Sequence, residues 1–229
     1  QRQMCIRDRA GGIFGGSLYF FTENTALGIT QASNVSFIIC TAPLLTTILS
    51  LLFYKSEKAS KGLIYGSLLA LMGVGLIVFN GSFVLKISPI GDLLTLLAAL
   101  SWAFYSLIIK KMAGRYPTVF ITRKIFFYGV LTILPAFLLH PLQPDTAVLL
   151  QPGVLFNLLF LAVLASLICY VLWNVVLKQL GTVRASNYIY LNPLVTMIAS
   201  SLILDEKITL VALGGAACIV CGVYWAEKK

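Results

Sequence analysis

The chain of 229 residues is 59% hydrophobic and only 11% charged, with a mean hydropathy of +0.93. No ordinary soluble domain approaches this composition, which predicts an integral membrane protein. The net charge of +9 would suit nucleic-acid binding if it formed one patch. The basic residues instead cluster in short loops between apolar segments, where they set membrane orientation, so we expect no nucleic-acid partner.

Residues 1–9 do not fit the segment that follows them. They are basic at both ends and lack the apolar stretch that a signal peptide needs after its basic start. We interpret them as a non-native, artefactual leader and leave them out of the functional reasoning. A native basic cytoplasmic leader is the alternative.

The rest of the chain predicts an all-α, polytopic membrane protein with eight transmembrane helices. Each apolar segment approaches the roughly 20 residues that a bilayer requires, and Gly, Pro and Asn lie in the breaks between segments. The predicted spans are 12–30, 34–54, 61–80, 92–113, 118–139, 153–178, 183–204 and 208–226.

Basic residues predict how these spans are oriented. Threading the spans alternately leaves only Lys86 and Lys207 on one side. The other side carries Lys55, Lys58, Lys61, Lys110, Lys111, Arg115, Lys178, Arg184, Lys228 and Lys229. Positive charge marks the cytoplasmic side, so we expect a multi-pass protein of the cell membrane with a cytoplasmic C-terminus.

The chain also repeats itself. Five pairs of identical residues stand 150 positions apart, and three more pairs continue the match at 149 after a slip of one residue. The pairs are Asn24/Asn174, Ser36/Ser186, Pro43/Pro193, Thr46/Thr196 and Ser50/Ser200, then Glu57/Glu206, Gly66/Gly215 and Gly73/Gly222. Duplicated halves of several membrane helices are typical of secondary transporters, whose substrate site lies where the repeats meet.

The register divides the chain into residues 10–80, the last three helices of a first repeat, and residues 91–229, a second repeat of five helices. An odd number of helices per repeat inverts the second copy in the membrane. The first repeat lacks two helices by this count, so we expect roughly 60 residues to be missing, two spans of about 20 residues with their loops.

Several motifs resemble one transporter family. They are FFTENTAL at residues 20–27, ASNVS at 32–36, TAPL at 41–44, LSWA at 100–103, LNPL at 191–194 and DEK at 205–207. The chain resembles an EamA-type member of the drug/metabolite transporter superfamily, N-terminally truncated. The resemblance implies ten helices in two inverted five-helix repeats, and export of amino acids, other metabolites or drugs.

Glu23 is the sole acid near the middle of a predicted span. An ionised carboxylate there costs several kcal/mol unless it faces a polar cavity or a partner, which makes Glu23 a candidate substrate-binding residue. A protonated glutamate that only packs against a neighbouring helix is the alternative. Asn24 and Asn174 occupy matched positions, where an amide can contact ligand or join helices.

Matched helix breaks point to a site near the middle of the membrane. Pro43 and Pro193 each remove a backbone donor inside an apolar segment. Tyr190 and Asn192 lie just before Pro193, and Ser36 lies before Pro43. We therefore add Ser36, Tyr190 and Asn192 to the predicted site, although tyrosines there also suit an aromatic belt at the membrane surface.

Trp102 and Tyr105 stand three residues apart and can form an aromatic wall of the site or simply pack against a neighbour. The predicted site thus comprises Glu23, Asn24, Ser36, Trp102, Tyr105, Asn174, Tyr190 and Asn192, converging on one cavity beside Pro43 and Pro193.

The sequence favours a secondary transporter over two alternatives, an intramembrane lipid-modifying enzyme and an inactive membrane fragment. Cys218 and Cys221 have metal-ligand spacing, but no second cysteine pair or nearby histidine accompanies them. We expect no catalytic residues, metal or cofactor. The expected partners are a small-molecule substrate and the lipid bilayer, and both proton coupling and a homodimer remain open.

Overall fold

The computed structural model describes residues 2–54, 60–79, 88–112, 116–139, 146–203 and 208–228. Within these ranges every regular element is helical. The first half contains α1 (Arg2–Gly12), α2 (Leu18–Ile29), α3 (Ala32–Ile39), α4 (Ala42–Phe53), α5 (Lys61–Phe79), α6 (Pro89–Met112) and α7 (Thr118–Leu139). The second contains α8 (Thr146–Leu149), α9 (Pro152–Leu159), α10 (Cys169–Leu180), α11 (Thr182–Asn187), α12 (Asn192–Ile203) and α13 (Leu210–Glu227).

Six helices of the described chain are long and apolar enough to cross a membrane. They are Asn34–Phe53, Lys61–Phe79, Pro89–Met112, Thr118–Ala136, Pro152–Leu180 and Leu210–Glu227. The predicted spans 12–30 and 183–204 do not qualify. The polar run from Thr22 to Thr25 lowers the hydropathy of the former, and a tight turn interrupts the latter.

The first helix begins ten residues earlier than predicted. Residues 2–12 continue into the predicted span as one rod, joined to α2 by a wide π turn at Ile13–Ser17. Asp8 is buried and forms a salt bridge with Lys124 of α7. The residues interpreted as a non-native leader are helical in the structure, and the ion pair of Asp8 with Lys124 attaches them to α7.

Irregular turns recur at matched places in the two copies. Ile13–Ser17 shifted by 150 positions falls inside a second π segment, Phe160–Ile168, which joins α9 to α10. The α3–α4 junction at residues 40–41 corresponds to the tight 3₁₀ turn Tyr188–Leu191 before α12. Each junction lies just before a proline, Pro43 or Pro193, which cannot donate a backbone hydrogen bond.

Helices α5 and α13 cross in close contact because glycines line both surfaces. Gly66 lies against the backbone of Gly222, and Gly73 lies against the backbone of Gly215. The contacting residues run in opposite orders along the two helices, so the helices are antiparallel. Small residues let helix backbones approach each other in a membrane, where dispersion and close packing drive helix association.

We expect a side chain added at this crossing to destabilise the fold. A Cβ atom at Gly215 would lie 2.7 Å from the Gly73 carbonyl oxygen, whereas a Cβ at the adjacent Gly214 would meet nothing within 4 Å. Overpacking of this kind costs about 1 to 3 kcal/mol. Thermal unfolding in detergent should therefore show Gly215→Val to be clearly less stable than Gly214→Val. Equal stability of the two variants would contradict the close crossing.

Two buried clusters flank the middle of the molecule. One cluster contains Tyr105, Ile109, Met112, Ile121, Ile125, Tyr170, Leu177 and Ala185. The other contains Cys40, Ala70, Val74, Ile77, Tyr190, Ile219 and Val223. By contrast, the segment from Pro152 to Ile168 has almost no buried side chains. This apolar, exposed segment forms a lipid-facing surface of the described chain.

Candidate functional site

A small cavity of about 250 Å³ lies between helices from the N-terminal part of the described chain and helices from its later part. Residues of α2, the α3–α4 segment, α6, α10 and the turn before α12 contribute to its wall. The lining residues are Tyr19, Ile39, Ala42, Ala99, Trp102, Trp173, Tyr188, Ile189 and Asn192. The wall combines aromatic rings, small residues and one amide, a composition typical of sites for small organic molecules.

Three aromatic rings form one side of this cavity. The ring of Trp102 lies 5.0 Å from that of Tyr19 and 5.7 Å from that of Trp173, measured between centroids. The indole nitrogens of Trp102 and Trp173 are buried, and neither has an acceptor among the described residues. A buried N–H group without an acceptor costs free energy. A bound molecule with an oxygen atom near these indoles would accept their hydrogen bonds and remove that cost.

Glu23 stands at the edge of the cavity, one residue behind its wall. The Tyr19 hydroxyl donates to Glu23 Oε1 at 3.0 Å, across one turn of α2. Within the described chain this hydroxyl is the one polar partner of the carboxyl group, and Glu23 is only half-buried. The tyrosine therefore connects the acid to the aromatic wall.

Tyr105 and Asn174 lie behind the wall and join three helices. The Tyr105 hydroxyl donates to Asn174 Oδ1 at 2.8 Å, and Asn174 Nδ2 donates to Thr122 Oγ1 at 2.9 Å. All three side chains are buried. The amide thus links α6, α10 and α7, which corresponds to the interhelical role considered for Asn174 in the sequence.

Removing this amide is expected to destabilise the protein. In Asn174→Ala, Tyr105 and Thr122 lose their buried partners, which costs about 1 to 3 kcal/mol. Asn24 is the matched control, because it stands at the equivalent repeat position yet is exposed and donates only to Phe20 O of its own helix at 2.8 Å. Unfolding curves should shift strongly for Asn174→Ala and little for Asn24→Ala; similar shifts would argue against the network.

The structure brings only part of the predicted site together. Trp102 and Asn192 line the cavity, while Glu23, Tyr105 and Asn174 adjoin its wall. Asn24, Ser36 and Tyr190 do not line this cavity, so the structure does not bring all eight residues together there.

Each of these three residues has a local reason for its position. Asn24 and Ser36 lie on exposed faces of their helices. Ser186, the matched partner of Ser36, is fully buried, so the two copies differ here. Tyr190 belongs to the separate cluster with Cys40 and Ile219, because the tight turn before Asn192 directs successive side chains to different neighbours.

Seven of the nine lining residues were outside the predicted site, and three of them, Tyr19, Trp173 and Tyr188, are aromatic. Tyr19 stands four positions before Glu23, so helical spacing could have placed it on the same face. Trp173 directly precedes Asn174 and gave no separate signal. Tyr188 lies four residues before Asn192 and was not included in the predicted site; it is 40% exposed as well as lining the cavity.

A larger groove of about 1320 Å³ lies along α5. Its wall is almost wholly apolar and includes exposed Tyr65, Leu68 and Met72. None of the residues that line this groove lines the aromatic cavity, so the groove is a separate apolar surface. Within the described chain, no cluster of His, Cys, Asp or Glu side chains is arranged to hold a metal ion.

Comparison with known proteins places this protein in the class of polytopic membrane transporters. Residues 10–79 and 89–226 match the EamA-like transporter family. The match covers most of the chain, and the protein belongs to this family. The resemblance to EamA-type drug/metabolite transporters is thereby confirmed, and the protein is a transporter and not an enzyme.

Individual relatives are similar over most of the chain. An uncharacterized transporter of Archaeoglobus fulgidus is 29% identical over 217 residues, which are 94% of this chain and 73% of that protein. A probable amino-acid metabolite efflux pump of Salmonella typhimurium is 29% identical over 182 residues, 75% of this chain and 60% of the pump. The corresponding Escherichia coli pump is 24% identical over 205 residues, 87% of this chain and 69% of the pump.

A solved crystal structure has the same fold. It superposes with a TM-score of 0.82 at 19% sequence identity, covering 99% of this chain and 77% of the other. At this identity the likeness concerns the fold alone. The arrangement of helices is thus one that a solved protein also adopts.

Proposed function

We propose that the protein is a secondary transporter that exports small metabolites, such as amino acids or related compounds, or drugs, by alternating access. The observation that carries this proposal is the cavity between the two copies. Tyr19, Ile39 and Ala42 reach it from the first copy, and Trp102, Trp173 and Asn192 reach it from the second. A site at the meeting point of two repeats is the arrangement expected of secondary transporters.

The contacts between α5 and α13 support an inverted repeat. In the matched register Gly66 corresponds to Gly215 and Gly73 to Gly222, while the physical contacts are Gly66 with Gly222 and Gly73 with Gly215. If each glycine is replaced by its matched partner, the Gly66–Gly222 contact becomes a contact between Gly215 and Gly73, which is the second observed contact. A two-fold axis generates this reciprocal pattern, and between antiparallel membrane helices such an axis lies in the membrane plane.

We extend the proposal of an inverted repeat to the domain organisation. Residues 10–80 form the last three helices of the first repeat, and residues 91–229 form the five helices of the second. Eight helices would then cross the membrane, six of them apolar enough by composition and two broken or more polar. The matched π turns and proline junctions support this assignment, because irregular backbone at membrane depth is tolerated where it is buried in protein or lines a cavity.

The proposed orientation places the C-terminus in the cytoplasm of a cell-membrane protein. Tyr54 lies beneath Lys110, whose ammonium nitrogen is 4.4 Å from the ring centroid, so the end of α4 and the basic end of α6 share one side. Thr30 donates to Asp92 at 3.4 Å on the opposite side. Lys86 and Lys207, the basic residues assigned to that opposite side, fall outside the described residues.

In the proposed site Trp102 and Asn192 contact substrate, Glu23 supplies charge, and Tyr105 with Asn174 positions Trp102. The Trp102 and Tyr105 rings are 5.2 Å apart, which supports this positioning role. Asn24, Ser36 and Tyr190 are left out of the contact set. Pro43 and Pro193 mark the junctions next to which the helices bend.

Flux through reconstituted protein tests the proposal. Proteoliposomes loaded with a mixture of radiolabelled amino acids should lose at least one of them faster than empty liposomes do, and unlabelled solute in excess should compete. The double variant Trp102→Ala/Trp173→Ala should abolish this loss, whereas Trp225→Ala, on the exposed surface of α13, should not. Absence of saturable flux for amino acids, related metabolites and drugs would favour an inactive membrane fragment.

A further inference from the structure

We propose that the cavity recognises a protonated amine on its substrate, held by the aromatic rings of Tyr19, Trp102 and Trp173 with Glu23 as the counter-charge. The inference rests on the proposed function in that it assigns a substrate class to the same site. It narrows the substrates from small metabolites and drugs in general to solutes with an ammonium group on a compact apolar body.

The charges around the cavity favour a cation. None of the described lining residues is basic, and the nearest acid, Glu23, has no lysine or arginine partner in the described chain. An anionic solute would enter a low-dielectric space without a counter-ion and beside a carboxylate. An ammonium group would instead supply the charge partner that Glu23 lacks.

The aromatic wall favours the same class of ligand. Cations bind over the faces of tryptophan and tyrosine rings within about 6 Å of the centroid, and the attraction grows when water is excluded. The centroid separations of 5.0 and 5.7 Å place three such rings side by side. The Tyr19 hydroxyl is already engaged with Glu23, which leaves the ring of Tyr19 to contact the ligand.

The rest of the wall limits the remainder of the molecule. Ala42, Ala99, Ile39 and Ile189 give an apolar floor without charge. A phenyl or branched aliphatic group suits this surface and the volume of about 250 Å³. The unpartnered indole N–H groups of Trp102 and Trp173 can also donate hydrogen bonds to a ligand oxygen, so a zwitterion with an apolar side chain is compatible with the site.

Three ligands with the same phenyl group test the proposal directly. Phenethylamine carries only the ammonium group, phenylacetate only the carboxylate, and phenylalanine both. Two of the three tryptophans of the chain line the cavity. A Trp225→Phe background therefore restricts intrinsic fluorescence to the site. We expect saturable quenching by phenethylamine and phenylalanine, and at least about tenfold weaker binding of phenylacetate, as loss of a desolvated cation contact implies.

Two variants distinguish charge recognition from a change of shape. Glu23→Gln keeps an acceptor for the Tyr19 hydroxyl but removes the charge, so it should weaken phenethylamine binding about tenfold and should not weaken phenylacetate binding. Tyr19→Phe keeps both the ring and the carboxylate, so it should retain the preference for the amine. Glu227→Gln, at the end of α13, serves as the charge-matched control.

The outcomes separate this inference from the proposed function. Equal or tighter binding of phenylacetate, or no saturable binding of either amine, overturns amine recognition even if the protein transports other solutes. Amine-selective binding that depends on Glu23 sustains it even if no flux is measured, in which case the transport proposal alone fails.

Discussion

Glutamine in place of Glu23 is expected to lower the transport rate of the reconstituted protein at least about tenfold, the effect of losing roughly 1.4 kcal/mol of stabilisation. The carboxylate lies in the first helix, half-buried beside the cavity, and accepts the Tyr19 hydroxyl. Glutamine is similar in size and can accept the same hydrogen bond. The fold should therefore persist while the charge that meets a cationic substrate is lost.

The control for this experiment is Glu227→Gln. Glu227 is also half-buried, but it ends α13 and does not line the cavity. Both variants should be expressed to the same level, and their initial efflux rates compared from pH 6 to pH 8. Wild-type rates across this range in Glu23→Gln would reduce Glu23 to a packing role, which is the alternative that the sequence left open.

Cysteine labelling should give an all-or-none pattern across the membrane. In a cysteine-free background, a cysteine at Ser60 is expected to be protected from an impermeant reagent added outside intact cells, while one at Gln151 should react. Both residues are exposed at helix ends. The basic residues of the chain cluster on the side of Ser60, and positive charge is retained in the cytoplasm.

Permeabilised cells provide the control for this measurement, because both cysteines should then react. Labelling of Ser60→Cys and protection of Gln151→Cys in intact cells would reverse the proposed orientation. Labelling of both positions from outside would instead show that the chain between them crosses the membrane an even number of times.

Hydropathy predicted the apolar helices well because a membrane helix must satisfy its backbone hydrogen bonds internally and expose apolar side chains to lipid. The same rule fails where a helix borders a polar site. The segment containing Glu23 and Asn24 and the segment interrupted before Pro193 are less apolar or less regular than the other spans. Composition alone therefore predicted where these two helical segments lie in the chain but not where each of them begins and ends.

The start of the first helix shows a second limit. The charged residues before residue 10 were taken to lie outside the fold, since local hydropathy has no information about distant partners. In the structure Lys124 pairs with Asp8, and that pairing joins positions more than a hundred residues apart. Such contacts depend on tertiary packing, which a sequence pattern of short range does not contain.

The 150-residue register matches residues in the two parts of the chain, but it does not predict the neighbours of each side chain. Asn24 and Asn174 are matched in sequence, yet one is exposed and the other joins three helices. A duplicated position therefore keeps its place in the backbone while its neighbours diverge. Trp173 and Tyr19 line the cavity without any repeat signal, because their ring contacts with Trp102 depend on tertiary packing.

Counterflow through reconstituted protein is the measurement that tests alternating access most directly. Proteoliposomes preloaded with unlabelled substrate and diluted into a trace of the labelled compound should accumulate label transiently above its external concentration. A carrier that exposes one site alternately to each side produces this overshoot. The excess unlabelled solute inside competes with the labelled solute for exit, so label that has entered leaves slowly. Equilibration of label without an overshoot would indicate a passive pore, and no uptake above that of empty liposomes would contradict transport altogether.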